Sequence, residues 1–341
     1  MDSITVPIQE LPPLYRLRWT LRFEQSFDAP RYLGSALRGL LGHGLRRTAC
    51  VTRLKTCRDC SLVESCVYTE LFEPTARSTG WARAPFVLSV PVTSGRRYAA
   101  GEPLVFEMTL LGPHRRHLPY LLQAFQVGGR LGLGPKEIGY EVTGLASLGT
   151  LGGDDWRVLY AGDEAIGTAE AAVVRPPPAP QAIRLTWETP WRFKRAGHFV
   201  GPDQFSVGLL LEGLLYRFFE LLGERPPRPM LQRALEQSLD ADARLEWQDW
   251  SRYSSRQKTR MQVGGLMGRI DLAGRDLSPW WPLLWLGQWL HLGKFTSMGL
   301  GRYRLSTAGL PDSRAGDDSG IICRDGMAQE RATDRAGMPP S

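Results

Sequence analysis

Apolar residues at Leu33, Ala36, Leu37, Leu40, Leu41 and Leu45 recur three and four apart, the spacing of one face of a helix. A strand over residues 14–24 precedes them. Residues 84–112 hold two alternating or apolar runs around the turn-rich, basic tip "TSGRRYAAGE", the pattern of a hairpin. A Leu-rich helix follows ("PYLLQAF"), then a closing strand ("EIGYEVTGLASLG") and an irregular hairpin over 154–170. After the prolines of "VVRPPPAPQ" the order begins again. A strand near 182–189 leads through a basic loop to the amphipathic helix "FSVGLLLEGLLYRFFELLG". "ERPPRP" breaks that helix, and a short helix near 230–238 follows. The Trp-rich run "WWPLLWLGQWL" is read as a buried helix, and a last strand ends at Leu305.

One element occurs twice. "PYLLQAFQVGGRLGLGPK" (119–136) and "PLLWLGQWLHLGKFTSMGLGR" (282–302) both run proline, Leu-rich helix, glycine, short basic loop, Gly-Leu-Gly and a basic residue. Upstream, residues 14–23 and 181–193 each read as a strand before a loop and an apolar helix. A long-period repeat of this kind signals one supersecondary unit used more than once. The expectation is two similar α+β domains, each with a glycine loop between its last helix and last strand. The stiff proline stretch divides them. The first domain is placed at 1–175, the linker at 176–181, the second domain at 182–306 and a disordered tail at 307–341. Glycine lets backbone approach an anionic partner, and successive N–H groups can form an anion-binding nest. The loops are therefore candidate phosphate contacts.

The helix over 33–47 is unusual in carrying glycine at 34, 39, 42 and 44. Each costs an exposed helix about 1 kcal/mol against alanine. Such a helix is expected to pack very closely on something, or to lie against backbone or nucleic acid. Its other face presents Arg38, His43, Arg46 and Arg47.

Charge sharpens the picture. The 341 residues carry a net +7, and the tail from Thr307 holds six acidic and four basic residues, leaving about +9 on the body. A basic body suits a polyanionic partner. The stretch "WSRYSSRQKTR", read as one extended strand, would align Arg252, Arg256, Lys258 and Arg260 on one face, with Trp247, Trp250 and Tyr253 near enough to stack on bases. Residues 1–13 lack the features of a signal peptide and no apolar run approaches a membrane span, so the expected location is the cytoplasm. Cysteines there are thiols or metal ligands. Cys50, Cys57, Cys60 and Cys66 stand as C-x6-C-x2-C-x5-C, a set able to complete a tetrahedral structural site. Zinc is the first choice, and an iron–sulfur cluster uses the same four ligands.

"GSALRGLLGHGLRR", "LFEP", "YAAGEPLVFEMTLLG", "WQDWSRYSSRQKTRMQVGGLMG" and "GKFTSMGLGRYRL", in this order, resemble the CRISPR-associated endoribonucleases of the RAMP superfamily, which process precursor CRISPR RNA. The resemblance spans residues 14–305. It implies two tandem ferredoxin-like (RRM-like) domains, here with a cysteine-rich metal-binding insertion in the first. It implies binding of CRISPR repeat RNA and one metal-independent cut per repeat, in which the ribose 2′-hydroxyl attacks the adjacent phosphate and leaves a cyclic phosphate. The family's RNA-contacting glycine loop maps onto Gly293, Lys294, Gly299, Gly301 and Arg302. The family's histidine lies in or after the first helix, where His43 is the one histidine, beside Arg46 and Arg47. His43 is thus expected to be a general acid or base, with Lys294 as charge stabiliser and Tyr32 as a further catalytic candidate if it lies in the loop before the helix. His291 competes with His43. His114, His117 and His198 are read as phosphate contacts or as residues without a role. The same superfamily fold also builds non-catalytic guide-RNA-binding subunits of interference complexes, so other CRISPR effector subunits are further candidate partners. The cysteine cluster lies outside the family's catalytic pattern and is expected to brace the loop after the first helix.

Overall fold

The computed structural model describes residues 6–74, 84–93, 95–134, 137–162, 165–237, 239–254, 259–274 and 277–307. In the first half the main elements are β1 (Leu14–Phe23), α1 (Gly34–Ala49), a short α2 (Val67–Leu71), β3 (Phe86–Ser89), β5 (Pro103–Leu111), α3 (Leu118–Leu131), β6 (Tyr140–Leu148) and β7 (Trp156–Tyr160). The two-residue strands β2 (Phe27–Asp28) and β4 (Arg97–Tyr98) pair beside them. The main strands form one antiparallel sheet in the order β3-β5-β1-β6-β7.

The second half runs β8 (Ala182–Trp191), a small pair β9 (Lys194–Arg195) and β10 (His198–Phe199), α4 (Val207–Leu221) and α5 (Arg228–Glu236). It continues with β11 (Asp240–Gln248), β12 (Ser251–Ser254), β13 (Thr259–Gln262), β14 (Gly265–Ala273), α6 (Leu277–Leu290) and β15 (Tyr303–Thr307). Its main sheet is ordered β11-β14-β8-β15. Counting only the strands of the βαββαβ unit, both sheets run second-third-first-fourth, the ferredoxin-like arrangement. The duplicated helix–glycine–strand element is present in both halves.

Alternation along β1 explains the layering. Leu17, Trp19, Leu21 and Phe23 are fully buried toward α1 and α3, while Arg16 and Arg18 point to the other face and share Glu107. The second core forms around Ile183, Leu185, Trp187, the Leu-rich α4 and the Trp-rich α6. Leu14, Leu111, Leu151 and Ala172 of the first half belong to this second core, so the stretch at 176–181 divides the two sheets while the second core draws on both sides of it.

The basic run at 251–262 departs from expectation. It is not one extended strand. β12 and β13 fold back as a hairpin in which Arg252 pairs with Met261 and Arg260 with Tyr253, so the charges do not form a single row along one strand. Arg256 and Lys258, and the side chains of Arg252 and Arg260, lie outside the described residues, as do 308–341.

The glycines of α1 divide into two kinds. A Cβ at Gly44 would sit 2.0 Å from the Ala124 carbonyl of α3, one at Gly42 would meet the Phe72 ring at 2.3 Å, and one at Gly34 would lie 2.1 Å from the Met298 carbonyl. These three let α1 press against its neighbours. Gly39 meets nothing within 4 Å.

Candidate active site

Gly39 opens onto a cleft of about 1820 Å³, bounded by α1, both glycine loops and the β12–β13 side of the second half. His43 stands one turn further along α1, exposed, on the cleft wall. Arg46, Arg47, Arg53 and Arg97 line the same space, against the carboxylates of Asp28 and Glu137. Among the described residues neither His43 nor Arg47 is engaged with a hydrogen-bond partner. Arg46 is committed: its guanidinium donates to the carbonyls of Leu54 and Lys55 and so holds the loop after α1.

Gly132–Gly134 of the first loop and Met298 and Leu300 of the second reach this cleft. Gly134, at φ +76°, faces open space, whereas a Cβ at Gly132 would lie 2.1 Å from Glu137. The second loop is built differently. Gly293, Gly299 and Gly301 all have positive φ, and their open sides are filled by the protein itself: Arg192 O at 2.3 Å, Tyr32 Oη at 2.0 Å and Leu292 O at 1.8 Å from the added Cβ. Its N–H groups are used internally too. Leu292 donates to Gly301, Lys294 to Arg192, Met298 and Leu300 to Phe295, Gly299 to Thr296, Gly301 to Pro190, and the Arg302 N–H to Thr189 Oγ1. The expected anion nest is absent among these residues, because the loop folds into a knot of tertiary hydrogen bonds.

Tyr32 lies before α1, as a role in the cleft requires. Its hydroxyl donates to the Met298 carbonyl at 2.6 Å, and burial pushes its pKa up. The hydroxyl therefore ties the entry of α1 to the second glycine loop. Arg38 makes a second tie to that loop, donating to Ser297 Oγ at 3.1 Å. Lys294 is exposed but is not among the residues lining the cleft. Arg302 pairs with Glu188 at 2.6 Å.

His291 is fully buried between the halves. Its Nε2 lies 3.1 Å from Ser89 Oγ, which accepts from Arg16. Burial, then the positive charges of Arg302, Arg16 and Arg217, hold its pKa well below the ordinary histidine range. It is a neutral structural residue at the seam and takes no part in the cleft. His114 and His117 are buried as well, at 2% and 8% exposure, so they do not meet a phosphate at the surface. Both answer to Glu70 instead. Arg53, Arg97, Trp250 and the two open glycines, Gly39 and Gly134, complete the cleft. The basic tip before β5 was the sequence signal for Arg97. Trp250, a stacking candidate from its place beside the basic run, packs against Tyr32 and under Arg31.

The four cysteines line one smaller cavity of about 290 Å³, each half-buried. Burial raises the Cys57 thiol, while hydrogen bonds from Thr52 and the Leu62 backbone lower that of Cys60. Zinc–sulfur bonds of about 2.3 Å would place the sulfurs roughly 3.8 Å apart. Among the described residues no three of the sulfurs lie within 4.8 Å of one another. The donor set fits a metal by its chemistry and shared cavity, and the loop would have to draw inward to hold one.

Residues 185–303 match the family model of the CRISPR-associated endoribonuclease Cas6. Over this stretch, about a third of the chain, the similarity is to the Cas6 family. Residues 11–172 match a second family model, described as an N-terminal domain. An uncharacterised protein of Archaeoglobus fulgidus is 24% identical over 187 residues, covering 53% of this chain and 62% of its own length. Among solved structures, a Cas6 product complex is similar with a TM-score of 0.51 and 18% identity, over 86% of this chain and 99% of that one. Thermus thermophilus Cas6 gives a TM-score of 0.50 at 17% identity, over 86% and 98%. A partial Cas6-RT-Cas1–Cas2 complex gives 0.54 at 16% identity, over 87% of this chain and 46% of that one. The chain thus spans less than two thirds of the Archaeoglobus relative and of that complex's chain. At these identities the likeness is one of fold, and the Cas6 fold extends across both halves. No helix among the described residues is long and apolar enough to cross a membrane.

Proposed function

We propose that this chain is a cytoplasmic endoribonuclease that cuts CRISPR repeat RNA by a metal-independent transesterification. The observation that carries the reading is His43, exposed on the wall of a cleft with four arginines and both glycine loops. In the proposed step the ribose 2′-oxygen gives up its proton and bonds to the adjacent phosphorus. The bond to the 5′-oxygen breaks, and that oxygen takes a proton. The products are a 2′,3′-cyclic phosphate and a 5′-hydroxyl. His43 supplies or removes one of these protons, a contribution of about 10² to 10⁴ in rate. Arg47 and its neighbours neutralise the phosphate. Tyr32 acts as a positioning residue through Met298. Lys294, exposed outside the cleft, contacts RNA away from the cut.

The match of residues 185–303 to the Cas6 family model supports the reaction class, and the product complex and Cas1–Cas2 assembly among the fold neighbours make repeat RNA and other CRISPR proteins the proposed partners. The four cysteines are proposed to hold a structural metal, zinc first, that braces the loop behind Arg46. The engagement of Tyr32 and the position of Lys294 favour a second reading, a non-catalytic guide-RNA-binding subunit. Incubation with repeat RNA in EDTA separates the two. Fragments ending in cyclic phosphate support the enzyme, and bound but intact RNA supports the subunit.

A further inference from the structure

Behind the cysteine loop, three side chains from two segments meet in the interior. Glu70 lies on α2. His114 and His117 lie on the 3-10 turn Gly112–His117 that opens α3. Their exposures are 9%, 2% and 8%. Glu70 Oε1 is 3.0 Å from His114 Nδ1, and Oε2 is 3.0 Å from His117 Nε2. One ligand atom from each lies within 4.8 Å of the others.

The hydrogen bonding at His117 is in conflict. Its Nε2 accepts from Arg116 Nε at 3.1 Å. A ring nitrogen that accepts has no proton to give, yet the same atom faces the Glu70 carboxylate at 3.0 Å. While Nε2 accepts from Arg116, two lone pairs face each other, with the Arg116 guanidinium, which also reaches Glu70 Oε1 at 2.6 Å, as counter-charge. The Arg116 side chain is 60% exposed, whereas those of Glu70, His114 and His117 are 12%, 3% and 10% exposed. The arginine is free to swing out, and the other three are held.

We infer that Glu70, His114 and His117 form a binding site for one divalent transition-metal ion, distinct from the cysteine set. A proton on Nε2 would satisfy Glu70 and forfeit Arg116, whereas a Lewis acid accepts lone pairs from Glu70 and both imidazoles at once. Two histidines and a carboxylate suit zinc, and bonds of about 2.0–2.1 Å place tetrahedral ligand atoms roughly 3.3 Å apart. The 3.0 Å contacts, one to each carboxylate oxygen, need to open by a few tenths of an ångström, and all three ligand atoms already lie within 4.8 Å of one another. The ion would pin α2, and the cysteine loop just before it, to the start of α3, whose far end carries the first glycine loop.

The test is titration of the chelator-stripped full chain with cobalt(II), read by absorption. The expected result is one ion with nitrogen and oxygen ligation that persists when all four cysteines are replaced by serine and is lost in His117→Ala. Thiolate charge-transfer bands, if the cysteines also bind, disappear in the serine variant and so report the other site separately. Arg116→Ala removes the competing cation without touching a ligand, and is expected to tighten cobalt binding several-fold. Unchanged affinity in Arg116→Ala, or undiminished nitrogen-ligated cobalt in a folded His117→Ala, would overturn the site and leave a purely ionic cluster. Neither readout involves RNA cleavage.

Discussion

Two glycines five residues apart on α1 provide an internal control for the proposed role of that helix. Alanine gains about 1 kcal/mol over glycine in a helix interior. At Gly39 nothing lies within 4 Å of the added methyl, so the gain is realised and Gly39→Ala is expected to be more stable by up to about 1 kcal/mol. At Gly44 the methyl would lie 2.0 Å from the Ala124 carbonyl, a backbone atom of the facing helix. Relief requires α1 and α3 to separate by more than an ångström. Overpacking of this kind costs about 1–3 kcal/mol, occasionally more, enough to outweigh the propensity gain. Urea denaturation of the two variants should therefore move in opposite directions. RNA binding should divide them the other way: the Gly39 methyl intrudes on the cleft and weakens binding in a stabilised protein. If Gly39→Ala binds repeat RNA as tightly as the parent, the cleft is not the RNA path. If both variants lose stability equally, the close-packing account of α1 is wrong.

Other expectations follow from the same geometry. Arg47→Ala and Arg97→Ala should each reduce the dependence of log binding on log salt by about 0.7 if each meets one phosphate of single-stranded RNA, measured across a salt series. His291 carries a pH prediction. Its native pKa is depressed, so below the unfolded value the unfolded chain takes up a proton that the native seam refuses. Stability contributed at neutral pH should fall by about 1.4 kcal/mol per pH unit below pH ~6.5, until the native pKa is reached, and His291→Gln should lack this component in denaturation at a series of pH values. A parallel pH dependence in the two proteins would refute it.

The duplicated architecture was legible because its signal is local: Leu-rich helix, glycine, strand recurs with the same order of elements around it. The role of the second loop was legible only in part. Positive φ at Gly293, Gly299 and Gly301 follows from the turn, but the use of the neighbouring N–H groups depends on Arg192, Pro190 and Thr189, which lie more than a hundred residues away. The hairpin at 251–262 was missed because charge spacing says nothing about where a strand turns. His43 was singled out because the family that the sequence resembles carries a histidine in or after the first helix, and it lies on the wall of a basic cleft. Lys294 was expected to serve beside it as charge stabiliser, and only packing shows that it does not line the cleft. The burial of His114 and His117 was invisible for the same reason: "PHRRH" looks like a basic surface loop, and the carboxylate that draws it inward comes from Glu70, more than forty residues earlier.

Single-turnover cleavage of repeat RNA by His43→Ala, compared with the parent in EDTA and with RNA affinity measured in parallel, addresses the centre of the account. The reading predicts a rate lower by about 10² to 10⁴ with affinity nearly unchanged. Cleavage at the parent rate would show that the proton transfer resides elsewhere and that the cleft beside α1 is not the catalytic one.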